Sequence, residues 1–219
     1  MMKPTVKTAV LFASVMLVWT AARAADGSSF KPPAGARVAV VVFEDLQCPS
    51  CAQAYPAVWD AANAHHIPVV LHDFPLAKHN WSFQAAVFAR FFDTKSQKLG
   101  NDYRGYIYKN QSLIPDQGGL NNYTQKFADD NKIRLPSPVD PAGNLTEKVK
   151  ADFALGKKIG LMYTPTIFVV GQDSASAVTP FVEVEDRNQL SQIIEDMLKK
   201  AGPATPAKTK TSASKKKSS

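Results

Sequence analysis

Cysteine is nearly absent from this chain: Cys48 and Cys51 are the only two among 219 residues. With no further thiols to spend on staples, the core must be secured by packing alone. Histidine is scarce too, at four residues: His65, His66, His72 and His79. A structural zinc site needs four ligands. These histidines lie in or beside one predicted strand, there is no second Cys pair, and no metal site is expected. Long apolar runs are missing as well. The stretch Ala9 to Ala22 falls short of the about 20 residues a membrane helix needs. Acids, finally, stop at Asp196, while Lys199, Lys200, Lys208, Lys210, Lys215, Lys216 and Lys217 lie beyond it.

The two ends of the chain read as appendages. Lys3 and Lys7 precede the apolar stretch and Ala22-Arg23-Ala24 follows it as a small-x-small pattern, so residues 1–24 are expected to be a signal peptide. The mature chain would begin at Ala25, in a periplasmic or otherwise exported setting; an uncleaved anchor is the alternative. Of the 26 basic residues, three belong to that segment and seven to the far end, leaving sixteen against 19 acids. The body is thus slightly acidic, and the formal charge of +7 is misleading. The Ala/Pro/Thr/Ser/Lys segment 202–219 cannot bury a core and is expected to be disordered. It is a solubilising tail or a weak contact for anionic surfaces; no specific nucleic-acid binding is implied.

Between these ends, residues 25–36 form a Gly/Pro/Ser-rich, extended lead-in. Val38 to Glu44 is too continuously apolar for a half-exposed strand and is expected to be central. Pro49 to about His65 is helical, with Pro49 suited to the first turn and Pro56 expected to kink it. Ile67 to Phe74 is a second strand, parallel to the first. Helical spacing then takes over at Trp81/Ala85/Phe88/Phe92, Tyr103/Tyr106/Ile107, Tyr123/Phe127 and Leu145/Val149/Phe153. Strands return at Thr166 to Val170 and at Val178 to Val184, where Pro180 argues for a sheet edge. A last helix, about Arg187 to Lys200, has Asp186 as N-cap and should bury Leu190, Ile193 and Met197. The order is βαβ, a helical block, then ββα: one α/β sheet carrying an insertion.

Cys48-Pro49-Ser50-Cys51 therefore stands where a strand runs into a helix. Unpaired N–H groups and partial positive charge at a helix N-terminus stabilise a thiolate. The one-and-four spacing lets the second thiol reach back and close a disulfide. A purely structural bond is disfavoured, because closing so short a loop removes little unfolded-chain entropy.

The run Phe43-Glu44-Asp45-Leu46-Gln47-Cys48-Pro49-Ser50-Cys51, in this order of elements, resembles the thioredoxin superfamily. Within it the chain is similar to the exported DsbA-like thiol–disulfide oxidoreductases. Asp73-Phe74-Pro75-Leu76-Ala77-Lys78-His79 resembles their F-P-L-x-x-H segment. Leu155-Gly156 to Gly160, leading to Tyr163-Thr164-Pro165-Thr166, resembles their approach to a cis proline facing the CxxC. The resemblance covers about residues 36 to 200. It implies a thioredoxin fold interrupted by an α-helical insertion, with halves at 37–75 and 161–201 and the insertion at 76–160.

It also implies roles. Cys48 would be the exposed, attacked sulfur and Cys51 the buried resolving one. Pro49 and Ser50 complete the motif, and Thr164 and Pro165 would line the client groove. Glu44 and Asp45 are candidates for a proton relay to Cys51, and His79 is a weaker candidate. No cofactor beyond the Cys48–Cys51 disulfide is implied. Partners would be reduced client proteins and a membrane redox protein that reoxidises the pair. A reductase, an isomerase or a non-catalytic peptide-binding module are the alternatives. Family oxidases of the best-known type carry His where this chain has Ser50. A helix terminus supplies at most about 2 kcal/mol, taking a thiol from ~8.5 to about 7. Any deeper depression of Cys48 requires extra hydrogen bonds, for which the Ser50 hydroxyl and the Cys51 N–H are the candidates.

Overall fold

The computed structural model describes residues 31–172 and 181–203. The expected signal peptide, Pro180 and most of the Lys-rich tail lie outside the described residues. Four strands, β1 (Val38–Glu44), β2 (Val69–Asp73), β3 (Thr166–Gly171) and β4 (Phe181–Glu183), form one sheet in the order β2-β1-β3-β4. β1 pairs parallel with β2 and antiparallel with β3, and β3 pairs antiparallel with β4. All seven residues of β1 are buried, as the unbroken apolar run requires of a central strand.

The alternation of β1 divides two cores. Val38, Val40 and Val42 face α1 (Pro49–Ala64) and α6 (Leu190–Lys200). Ala39, Val41 and Phe43 face Phe74, Leu161 and Phe168 on the other side. Between β2 and β3 runs the insertion, made of α2 (Ser82–Asp93), α3 (Gln97–Asn110), α4 (Gln117–Asp130) and α5 (Asn144–Lys158). It has its own core, built on Trp81, Phe88, Phe92, Tyr103, Ile107 and Phe127. The helical aromatic spacing read from the sequence is thus packing.

Two details differ from the sequence reading. β2 is shorter than Ile67 to Phe74, because the Ile67 N–H turns back to the Ala62 carbonyl (3.0 Å) and closes α1. The last helix buries Leu190, Ile194 and Met197, with Ile193 only partly covered. A 3-10 turn at Arg187–Gln189, capped by Asp186, tightens the entry, so the buried row starts at Leu190 and follows the i, i+4, i+7 ridge.

Gly156 is where α5 meets the sheet-side core. A Cβ there would stand 2.5 Å from the ring of Phe74, itself 2 % exposed and stacked on Phe153 at 4.8 Å. Gly156→Ala is expected to cost about 1–3 kcal/mol through overpacking. Tm should fall by roughly 2–4 °C for each kcal/mol in a domain of this size. An unchanged melting curve would show that Phe74 can yield without cost.

Candidate active site

The site forms where the C-terminal end of β1 meets the N-terminus of α1 and the segment before β3. Cys48 is the N-cap of α1 in extended conformation, and Pro49 occupies the first turn, where a missing N–H loses nothing. The Cys48 carbonyl receives the N–H groups of Cys51 (3.0 Å) and Ala52 (3.2 Å), winding the first turn around the sulfur. Thr164-Pro165 is cis, and the Thr164 carbonyl accepts the Cys48 thiol at 3.3 Å. Both cysteines are free thiols.

The two sulfurs differ sharply. Cys48 is drawn down to about 5, foremost by the Cys51 thiol, against the opposing effect of burial, with help from the Thr164 side chain and the Cys51 and Ser50 backbone N–H groups. Burial pushes Cys51 well above its ordinary 9.0, and the neighbouring Cys48 pushes it further. The thiolate is therefore deeper than a helix terminus alone provides. Ser50 contributes through its backbone; its side chain is exposed, and its carbonyl accepts from Arg187 Nη1 at 3.3 Å. The expectation of an exposed Cys48 is corrected: it is 7 % exposed against 3 % for Cys51, because the Thr164-Pro165 segment covers it. The Thr164 hydroxyl is buried without an aligned partner in this dithiol state, a spare donor that favours either sulfur as a thiolate.

Beside Cys48 a groove of about 380 Å³ is lined by Ser50, Tyr163, Thr164, Pro165, Glu183 and Arg187, among others. A second groove of about 240 Å³ adjoins it across Tyr163, with Met162, Phe168 and Phe181 in its walls. Met162 and Tyr163 are 75 % and 59 % exposed, an apolar lip next to the thiol.

The two acids before the motif separate. The Asp45 carboxylate accepts from Gln47 N (2.7 Å), Leu76 N (2.7 Å) and His79 Nδ1 (2.7 Å), so it pins the 74–79 loop, and His79 with it, to the end of β1. Glu44 lies under the dithiol. It shares a cavity of about 10 Å³ with Cys51, Tyr108 and Pro165. Its oxygens accept from Arg104 Nε (2.9 Å) and Tyr108 Oη (2.9 Å). Burial raises it to about 7; Arg104 and Tyr108 pull the other way and Asp73 adds to the rise.

Arg104 and Tyr108 escaped the sequence reading. Tyr108 lies in the aromatic run of α3, which spacing alone assigns to packing. Arg104 is a fully buried cation whose partners come from other elements: Asp93 clasps it bidentately at 2.8 and 3.0 Å, and Asp73 stands 4.0 Å away. Arg90 joins Asp73 to Asp152, and Asp152 also holds His72 Nδ1 at 2.7 Å.

The thioredoxin family's sequence model matches residues 33–200, and the chain belongs to that family. The solved structures it resembles carry the same fold with a helical insertion. Alpha-DsbA1 of Wolbachia pipientis superposes with a TM-score of 0.61 at 16% identity, covering 76% of this chain and 88% of that one. The thiol-disulfide exchange protein alpha-DsbA2 of the same organism gives 0.53 at 17%, over 74% and 82%. ScsC of Proteus mirabilis, in a transitional conformation, gives 0.57 at 18%, over 75% and 69%. A sequence search of curated proteins gave no match.

The Cys48 depression has a checkable sign. The folded value, about 5, lies below the ordinary 9.0. Between those values the folded dithiol protein binds fewer protons than its unfolded chain, and this contribution to stability grows as pH rises. It is complete above the unfolded value and lost as pH falls through about 5. Thiolate absorbance near 240 nm should titrate with a midpoint near 5 and vanish in Cys48→Ser. A midpoint at 8 or above would remove the asymmetry.

Proposed function

We propose that this chain is an exported thiol–disulfide oxidoreductase that passes its Cys48–Cys51 disulfide to reduced client proteins. The observation that carries the reading is the split pair at the head of α1, with Cys48 near 5 and Cys51 above 9. A thiolate that stable favours the dithiol form of the protein, which makes its disulfide a ready donor.

A client thiolate attacks Cys48 Sγ, the Cys48–Cys51 bond breaks, and its electron pair goes to Cys51 Sγ. Cys51 then takes a proton, for which Glu44, near 7 and open to the same cavity, is the donor. A second client thiolate attacks the client sulfur of the mixed disulfide, and Cys48 departs as the favoured thiolate. The grooves beside Thr164-Pro165 fit an extended client segment. Asp45 is engaged by three loop donors and does not line the cavity that Glu44 shares with Cys51, so the relay is assigned to Glu44. Reoxidation falls to a membrane redox partner. The Lys-rich tail gives weak contact with anionic surfaces, independent of exchange.

Cys48→Ser should abolish exchange with reduced, unfolded protein, while Cys51→Ser should accumulate mixed disulfides through Cys48. Adducts trapped mainly on Cys51 in Cys48→Ser would reverse the assignment.

Direction is read from the potential. Titration against glutathione should place it between ~−270 mV, the thioredoxin value, and ~−120 mV, that of DsbA, nearer the latter. The reduced form should melt higher than the oxidised. A potential near −270 mV, with the oxidised form melting higher, would make the protein a reductase.

A further inference from the structure

We propose that Tyr108, braced by Arg104, is a positioning residue that holds the Glu44 carboxyl at the Cys51 cavity and sets the pH at which it exchanges a proton with that thiol. The inference rests on the reading of Glu44 as the proton group of exchange and assigns control of it to the helical insertion.

Glu44 cannot choose its own orientation. It sits at the last position of a central strand, 3 % exposed, and both its carboxyl oxygens are engaged by α3. Arg104 binds one oxygen, but its other nitrogens are committed to Asp93, so it acts as a fixed post. That post needs Gly100: a Cβ there would fall 1.7 Å from Asp93 Oδ1. Tyr108 binds the other oxygen and is the donor that also lines the cavity shared with Cys51. A carboxylate oxygen retains a second lone-pair site after one hydrogen bond, so Glu44 stays open toward the cavity while clamped. Tyr108 itself remains a neutral phenol, since burial pushes it well above its ordinary 10.0.

The groups that bear on Glu44 are Arg104 and Tyr108 from α3, Asp73 from β2, Arg90 from α2, and Cys51 and Tyr55 from α1. Tyr108 is the hydrogen-bond donor to Glu44 whose hydroxyl can be removed at nearly constant volume; the Tyr55 hydroxyl donates instead to the Asn101 carbonyl at 2.8 Å. The cavity is about 10 Å³, close to the smallest space that holds one water. Its wall includes Tyr55 and Trp59, which also line an outer crevice of about 550 Å³ between α1 and α3.

The step to be measured is resolution of a Cys48–glutathione mixed disulfide in the full chain. Cys51 gives its proton to Glu44, its thiolate attacks Cys48 Sγ, and the electron pair of the broken bond leaves on glutathione sulfur. Its rate is followed by stopped flow from pH 5 to 9. Wild-type protein should show a step near 7, the value at which Glu44 titrates. Tyr108→Phe loses a donor to the ionised carboxylate and should move that step upward by about one pH unit, a tenfold rate loss below it. Cys48 thiolate absorbance should not change. Glu44→Gln should remove the step, and Glu44→Gln with Tyr108→Phe should match Glu44→Gln alone.

If Glu44→Gln removes the step and Tyr108→Phe leaves its midpoint in place, Tyr108 is only a packing residue and the proposal falls while Glu44 keeps its part. An additive double variant would overturn it in the same way. If Glu44→Gln leaves the profile intact, the proton reading and this proposal fall together.

Discussion

A guanidinium with no exposed surface, Arg104, is the constraint on which the rest of this structure depends. Burying a cation is tolerable only with full compensation, and the compensation comes from three places: Glu44 on β1, Asp93 at the end of α2, and Asp73 on β2. The insertion therefore cannot slide over the sheet without stranding a charge. Arg90 repeats the device one layer out, tying Asp73, Asp93 and Asp152 together and reaching the Leu71 carbonyl. Four carboxyls thus face two guanidiniums and one imidazole. The excess of acid is relieved where burial is complete: Glu44 and Asp73 are both raised by desolvation.

The asymmetry of the dithiol follows from the same packing. α1 lies with Cys51 turned toward Glu44 and Tyr108, and Cys48 toward the Thr164 carbonyl. Depth denies Cys51 the charge, so it serves Cys48 as a hydrogen-bond donor. The helix terminus, the Thr164 hydroxyl and the Cys51 thiol then act on one sulfur together. The Cys48 depression does not rest on the Ser50 side chain, which is exposed; Ser50 acts through its backbone.

Much of this was legible in the sequence, and the boundary of legibility is physical. Val38 to Glu44 declares a central strand because seven consecutive buried positions need seven apolar or compensated residues, and Cys48-Pro49 suits a helix start because a proline in the first turn forfeits no intrahelical hydrogen bond. Trp81, Phe92 and Phe127 declare helices by periodicity. Glu44 stood out by nearness to the motif. What periodicity cannot show is which polar residue on an apolar stripe is buried. Arg104 sits beside Tyr103 and ahead of Ile107 on α3, and nothing local distinguishes it from a solvated arginine. Its partners are 11 and 60 residues away. Ile194 replaced Ile193 for a smaller reason, a 3-10 turn that rotates α6.

The two perturbed values under the motif bracket a working range. Between about 5, where Cys48 ionises, and about 7, where Glu44 does, the dithiol protein holds a thiolate and a neutral carboxylic acid side by side. Those are the two species that donation of a disulfide leaves behind or consumes: a stable leaving thiolate at Cys48 and a proton for Cys51. Their linkage signs oppose. The raised Glu44 contributes stability that is complete below its ordinary 4.5 and lost as pH rises through about 7, whereas the Cys48 contribution grows with pH over that interval. Over that interval the Cys48 and Glu44 contributions offset one another. The offset holds only while Arg104 and Tyr108 keep Glu44 from rising further, so two side chains of the insertion bear directly on the carboxyl beneath the dithiol.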